Sequence, residues 1–399
     1  MTQHGPLAGM KVIELAHIMA GPVCGLMLAD MGADVIKVEK PDGDDSRRFV
    51  PPQIEGESAA YMMMNRNKRG IALNLKDPQA KEALHRLLES ADVVIENYRM
   101  GTMERLGLGY DSLRKINPRL IYCEISGFGR TGPYAQRGGF DLIAQGMSGL
   151  MSITGEGPGR PPVKTGAPVS DITAGILAAM GVSAAYARAL QTGLGQKVDT
   201  SLFEAGITQT YWQSAIAFAT GVAPGPMGSA HPLNGPYQAF QTADGWINIG
   251  AANQRNWLRF LEVIGAPELN DDPRFASNYD RMQHLEVLAE VLTTYLRKQP
   301  TAVWLERMEA AGLPAGPVLD ILQMHADPQA QAREMIVDVA HPVAGQVKTL
   351  GHPIKFSDTP AAITRAAPTL GQHSREVLLE AGYQADEIAQ MIASGAVIE

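Results

Sequence analysis

Apolar residues in the first third of the chain fall in short runs, and between the runs they recur at helical spacing. Lys11–Leu15 (KVIEL) is expected as a buried strand. A helix follows over Ala20–Met31, entered through Gly21-Pro22; proline suits a first turn because the N–H it lacks would have no partner there. Asp34–Glu39 (DVIKVE) is the next strand. Two strands and a helix within about 30 residues make a right-handed parallel crossover. The pattern recurs, with Ile71–Leu75 as strand, Pro78–Glu89 as helix behind an Asp77 cap, and Asp92–Asn97 and Leu120–Ser126 as strands. Runs rather than strict alternation imply a parallel sheet covered on both faces, so the expected fold class is α/β, doubly wound and Rossmann-like.

From about residue 141 the spacing is helical, over Asp141–Leu150, Asp171–Leu190 and Leu202–Ala219. A Gly/Pro-rich segment at 221–236 reads as a linker or a mobile loop. Tyr237–Ala251 is expected as a β-hairpin turning at Ala243-Asp244-Gly245, followed by helices near 253–264, 284–297 and 301–311. These make a second, smaller α+β domain, with Trp246 and Trp257 in its core. The tail holds a strand at Val347–Leu350 and helices near 371–382 and 385–394.

A chain of 399 residues exceeds what one compact core usually holds, which agrees with two domains. No unbroken apolar stretch reaches the roughly 18–20 residues of a membrane span, and the N-terminus is read as carrying no signal peptide. Cys24 and Cys123 lie within apolar patterns and are expected as buried thiols rather than a disulfide, which suits a reducing cytoplasm. The histidines form no HExxH or Cys/His cluster, so no metal is expected. Net charge is +1 over residues 1–137 and −9 over 138–399. That asymmetry is either a solvated face or the site of a polyanionic small ligand; it does not fit a nucleic-acid surface, where a basic domain is expected.

A β-α-β opening with Glu39 ending its second strand invites a dinucleotide reading, but the turn is AHIMAGPVCG, with no G-x-G-x-x-G. In doubly wound sheets ligands sit beyond the carboxyl ends of the strands. That rim would gather Ala16–Pro22, Lys40–Arg48 and Asn97–Met100. Lys37, Lys40, Arg47, Arg48, Arg66, Lys68, Arg69, Lys76, Arg99 and Arg105, ten cations, all fall between positions 37 and 105. A ligand with a pyrophosphate and a further phosphate, such as coenzyme A, would meet charge-assisted bonds there.

The segments PLAGMKVIELAHIMAGPVCGLMLADMGADVIKVEKPDGDDSR, NRNKRGIALNLKDP, VVIENYRMGTMERLGLGYDSL, LIYCEISGFGRTGPYAQRGGFD and GRPPVKTGAPVSDITAG resemble the class III CoA-transferase family, which includes formyl-CoA and carnitine CoA-transferases. So do GQKVDTSLFEA, DDPRF, LPAGPV and LGQHSREVL, and the ordered matches run from residue 6 to about 382. The resemblance implies an interlocked homodimer and a large domain built from both chain ends (1–220 and 330–399), with a small domain and linkers at 221–329. It implies Asp171 in SDITAG as nucleophile. Coenzyme A or an acyl-CoA would be a substrate rather than a permanent cofactor. Its contacts, carried over by position, are Met19, Ala20, Lys40, Leu73, Asn74, Leu75, Lys76, Asn97, Tyr98, Arg99, Arg105 and the 137–140 stretch with Arg137 and Phe140. Met19 stands where formyl-CoA transferase has Gln, and Lys40 where it has Arg, keeping the charge but losing the bidentate fork.

Local sequence alone makes Asp171 a helix cap; at a helix N-terminus the dipole would keep it ionised at neutral pH. His17 at the rim is either a substrate contact or structural, Tyr98 either stacks on adenine or packs, and Gly225, Gly228 and Gly235 form either a flap or a plain linker. The expected reaction moves CoA from an acyl-CoA, by resemblance succinyl-CoA, to a carboxylic acid. The rival readings are an α-methylacyl-CoA racemase and a non-catalytic CoA-binding protein. Racemisation needs an acid/base pair that the resembling racemases carry as GHD, and here the stretch is Gly139-Phe140-Asp141, whose Phe moves no proton. Neither a nucleic acid nor a membrane is expected as partner.

Overall fold

The computed structural model describes residues 5–399. Seven strands form the main sheet. The first four are β1 (Lys11–Glu14), β2 (Asp34–Glu39), β3 (Arg69–Leu73) and β4 (Val93–Glu96). β5 (Ile121–Ser126), β6 (Lys197–Ser201) and a late strand at Val397–Ile398 complete it. From the late strand inward and across, the order is Val397–Ile398, β3, β2, β1, β4, β5, β6. All pairings are parallel except the one between Val397–Ile398 and β3. The parallel strands thus run 3-2-1-4-5-6, the order of a doubly wound sheet, with the direction of winding reversing between β1 and β4.

Side chains alternate between two cores, as expected for a sheet buried on both faces. Ile13, Ile36, Ile71 and Val94 pack on one side with Leu84 and Leu88 of α2 (Pro78–Glu89). Val12, Val35, Val93 and Ile121 pack on the other with Cys24 and Leu28 of α1 (Ala20–Asp30). Each fully buried aliphatic side chain contributes about 1.5–3 kcal/mol. Helix α2 begins as expected, with Asp77 accepting from Gln79 N ahead of Pro78. Both cysteines are buried and unbridged.

The helical segment after residue 141 is interrupted. Asp141–Leu150 becomes α3 (Asp141–Met147) and a short turn at Leu150–Ile153, separated at Gly149, whose φ is +90°. Helix α4 (Val169–Thr192) is longer than expected. It is long and apolar enough to cross a membrane by length and composition, a property absent from the sequence expectation. Here, however, Ala174, Ala178, Val182, Ala185 and Ala189 pack into the second core. Small residues let it approach α1 closely: a Cβ on Gly175 would lie 2.6 Å from the Ala20 carbonyl oxygen. Leu202–Ala219 likewise divides, into α5 (Leu202–Thr208) and α6 (Tyr211–Thr220).

Two compact units result. One runs to Leu150 and continues over Thr165–Gln209 and Pro328–Glu399; the other comprises Met151–Lys164 and Thr210–Asp327. Against the expected small domain at 221–329, the second unit therefore starts earlier, at α6, and includes 151–164. Its three-stranded antiparallel sheet joins β7 (Tyr237–Gln241), β8 (Trp246–Gly250) and β9 (Ala315–Pro317) in the order β9-β8-β7. Phe240, Ile247, Trp257, Phe260, Leu292 and Trp304 fill its core. Trp246 is a correction: it points outward and is 53% exposed, because β8 alternates and only Ile247 and Ile249 face the core. In the first unit, the strand expected at Val347–Leu350 is Gly345–Leu350, paired with Ile336–His341.

Candidate active site

A cavity of about 470 Å³ opens at the carboxyl edge of the main sheet. Its walls come from the segments after β1 (His17–Ala20), β4 (Asn97–Met100) and β5 (Ser126, Gly127), and from Arg137–Phe140 and Asp171. It therefore sits where the strand order reverses, the position at which open α/β sheets bind ligands. Of the expected site residues, Met19, Ala20, Asn97, Tyr98, Arg99, Arg105, Arg137, Phe140 and Asp171 line this one space, and so does His17. Lys40, Leu73, Asn74, Leu75 and Lys76 are not among its lining residues. Leu73 is buried in β3, while Asn74 and Leu75 are half-buried and Lys76 exposed. Lys40 is exposed with its Nζ 2.9 Å from Asp45, a carboxylate that does line the cavity.

Asp171 is the third residue of α4, not its cap. Pro168 occupies the cap position, and the Asp141 Oδ1 accepts the Ser170 N–H at 2.9 Å. Asp141 is held in turn by Gln145 Nε2 at 2.7 Å, and the buried Gln145 accepts from Thr165 N at 3.0 Å. Among the described residues no group donates a hydrogen bond to the Asp171 carboxylate. The expectation that the dipole keeps it fully ionised needs correction. Burial first, and then the negative charge of Asp141, push it up to about 7. At neutral pH a sizeable fraction is carboxylate, the form that attacks a carbonyl.

Most of the ten cations counted from the sequence are spent inside the protein. Lys37 pairs with Glu14 and Asp44, Arg47 with Glu39, Arg66 with Asp30, Lys68 with Glu14 and Arg69 with Asp34. Lys40 and Arg48 both pair with Asp45. Glu39 is thereby consumed by Arg47 and by the Tyr61 hydroxyl, so it is not displayed for a ribose. Arg99, Arg105 and Arg137 line the cavity, and among the described residues none of the three forms an ion pair. Arg105 donates to Thr102 Oγ1 at 3.0 Å, and Arg137 stacks on Tyr134 with 4.0 Å to the ring centre.

Three further residues shape the site and were not singled out from sequence. Arg130 donates to Glu96 at 2.7 Å and to the Tyr98 carbonyl at 3.0 Å, tying the ends of β4 and β5 together. Burial nevertheless raises the Glu96 carboxyl to about 7, against the pull of Arg130. Asp141 and Asp44 are the other two; Asp44 precedes Asp45-Ser46, and its side chain accepts from Ser46 N, a local turn pattern that could have marked it. His17 lies edge-on to Tyr98, with 5.6 Å between ring centres, and burial lowers its pKa, so the imidazole is neutral at pH 7.

Residues 7–374 match the model of CoA-transferase family III. The chain belongs to that family. It is 42% identical to the succinate–glutarate CoA-transferase of Agrobacterium fabrum, covering 94% of this chain and 95% of that one. It is 41% identical to the acetyl-CoA:oxalate CoA-transferase of Acetobacter aceti over 88% of this chain and 90% of the relative. A crystal structure of a CaiB/BaiF family protein from Brucella suis superposes with a TM-score of 0.85 at 39% identity, covering 95% of this chain and all of that one. The protein is accordingly an enzyme, a class III CoA-transferase acting on acyl-CoA and carboxylate substrates.

Proposed function

We propose that this family member exchanges CoA between succinyl-CoA and a second dicarboxylate, with Asp171 as the covalent nucleophile. One observation carries the reading: among the described residues, an Asp171 carboxylate with no hydrogen-bond donor opens onto a cavity that also holds three guanidiniums without ion pairs. The guanidiniums suit the phosphates of CoA and the second carboxylate of a dicarboxylyl group. Glutarate and oxalate, in the relatives' names, are dicarboxylates, and so is succinate.

The chemistry follows from what a carboxylate can carry. An Asp171 oxygen attacks the thioester carbonyl, and the tetrahedral adduct collapses by expelling CoA thiolate, leaving a mixed anhydride. The thiolate attacks the Asp171 carbonyl, releasing the donor acid as its carboxylate and leaving an aspartyl-CoA thioester. The acceptor carboxylate attacks this thioester and expels the thiolate again. Attack of the thiolate on the acceptor acyl carbonyl then releases the new acyl-CoA and the free Asp171. CoA enters as substrate, with no permanent cofactor.

The enzyme acts as a homodimer, interlocked as in the family it resembles. Leu142, Ile143 and Met147 of α3, Met180 and Leu190 of α4, and Tyr211, Trp212 and Phe218 of α6 are exposed, more large apolar surface than isolated helices normally present to water. Unbridged buried thiols support a cytoplasmic setting.

The deciding experiment supplies succinyl-CoA with glutarate, oxalate, mesaconate or citramalate and measures new acyl-CoA by mass spectrometry. Hydroxylamine trapping then locates the acylated residue. Exchange with at least one dicarboxylate and a hydroxamate at Asp171 are expected. Absence of exchange with all four removes the dicarboxylate reading. Exchange of the α-proton with solvent and no acid requirement would indicate a racemase, and binding of CoA without turnover a non-catalytic protein.

A further inference from the structure

We propose that Asp44 is a positioning residue for CoA transfer: with Lys37 and Asn97 it holds the His17–Ala20 turn in the strained shape that forms one wall of the Asp171 cavity. The consequence for catalysis rests on the transferase reading above; the geometry does not.

Ile18 has φ +66°, the left-handed region, which is unfavourable for a β-branched side chain. Such a conformation persists only where its surroundings over-determine it. Here four consecutive backbone groups are held by side chains rather than by the sheet. The Ala16 carbonyl accepts from Lys37 Nζ at 3.0 Å. The Asn97 amide spans both sides of His17, accepting its N–H at 3.0 Å and donating to its carbonyl at 2.8 Å. The Ile18 N–H donates to both Asp44 oxygens at 3.2 Å.

Asp44 is itself immobilised. Its carboxylate lies 2.8 Å from Lys37 Nζ, with both side chains only 1% exposed, and it accepts from Ser46 N and Oγ at 2.8 and 2.7 Å. Lys37 also binds Glu14 Oε1 at 3.1 Å. The clamp thus reaches from the second strand to the first loop of the cavity, and beyond it lie Met19 and Ala20, both cavity-lining. Reacting groups held about 1 Å out of place lose much of their rate, so a wall kept in shape by buried charge acts through positioning rather than contact.

The test uses the full chain. Asp44→Asn is expected to lower kcat by about 10²-fold. Adding Ile18→Gly, which adopts a positive φ without penalty, is expected to restore at least about tenfold of that loss, whereas Ile18→Ala does not. Should Asp44→Asn fail to fold, Lys37→Met/Asp44→Leu replaces the ion pair by apolar groups, a change buried cores often accept, and the same loss and glycine rescue are expected. A purely structural role for Asp44 gives no rescue. Hydrogen exchange at the Ile18 amide, slow in the wild type and fast in the variants, reads the clamp independently of turnover. A kcat within about twofold of wild type, or a loss that Ile18→Gly leaves untouched, overturns the proposal. If the wild type shows no transfer, the functional reading fails while Ile18 exchange still decides the clamp.

Discussion

The Asp141 carboxylate accepts the Ser170 N–H at 2.9 Å, one residue before Asp171, and so caps α4 from another helix. The same group adds a negative charge beside Asp171 and, after burial, is a cause of its raised pKa. Positioning and electrostatics therefore come from one side chain. Asp141→Asn keeps an oxygen for Ser170 but removes the charge. The Asp171 carboxyl should then titrate below about 7 while burial still holds it above an ordinary aspartate. Wild-type kcat/KM should rise with pH through about 7, and the variant's rise should begin at lower pH. An unmoved acid limb would remove Asp141 from the electrostatic account.

Asp171→Asn should lower transfer by about 10⁴-fold or more, since the other carboxylate lining the cavity, Asp45, is paired with Lys40 and Arg48. It should also stabilise the protein. A carboxyl raised to about 7 in the fold from about 3.9 unfolded costs stability as pH rises between those values, with the full cost above the folded value. Calorimetry should show a Tm gain of a few degrees at about pH 8 and almost none at about pH 4. Equal gains at both pH values would contradict the raised pKa.

Arg105→Ala and Arg137→Ala should each raise KM for acyl-CoA by about tenfold, the loss of one charge-assisted bond, with kcat within a few-fold. The wild-type KM should rise with ionic strength and the variants' less steeply. Steady-state kinetics over a salt series checks both. Unchanged KM in both variants would place the phosphates elsewhere.

Gly25→Ala should be strongly destabilising. A Cβ there would fall 1.8 Å from Glu14 Oε2, the oxygen bound by Lys68 at 2.8 Å in a fully buried pair. Displacing Glu14 breaks that pair at a cost of about 3–5 kcal/mol. Urea unfolding followed by tryptophan fluorescence measures it, and a loss below about 1 kcal/mol would mean that α1 moves aside.

The sequence by itself determined the alternation of strands and helices, the depth of the sheet and several boundaries. Pro78–Glu89 was legible to the residue because its signals are local: an Asp cap, a proline in the first turn and a helical apolar stripe. Lys197–Ser201 and Val397–Ile398 were not, since as edge strands each pairs with a single neighbour and one is only two residues long. Asp171 was singled out by resemblance, and eight of the named contacts carried over with it line the same cavity. Tertiary structure alone decided which charges remain for a ligand. Composition counts Lys37, Arg66, Lys68 and Arg69 as cations, but the fold neutralises them with carboxylates distant in the chain. It likewise set the ionisation of Asp171, where burial and Asp141 oppose the helix terminus. Periodicity and capping act over a few residues and can be read in order; desolvation and ion pairing depend on which distant groups the fold brings within a few ångströms.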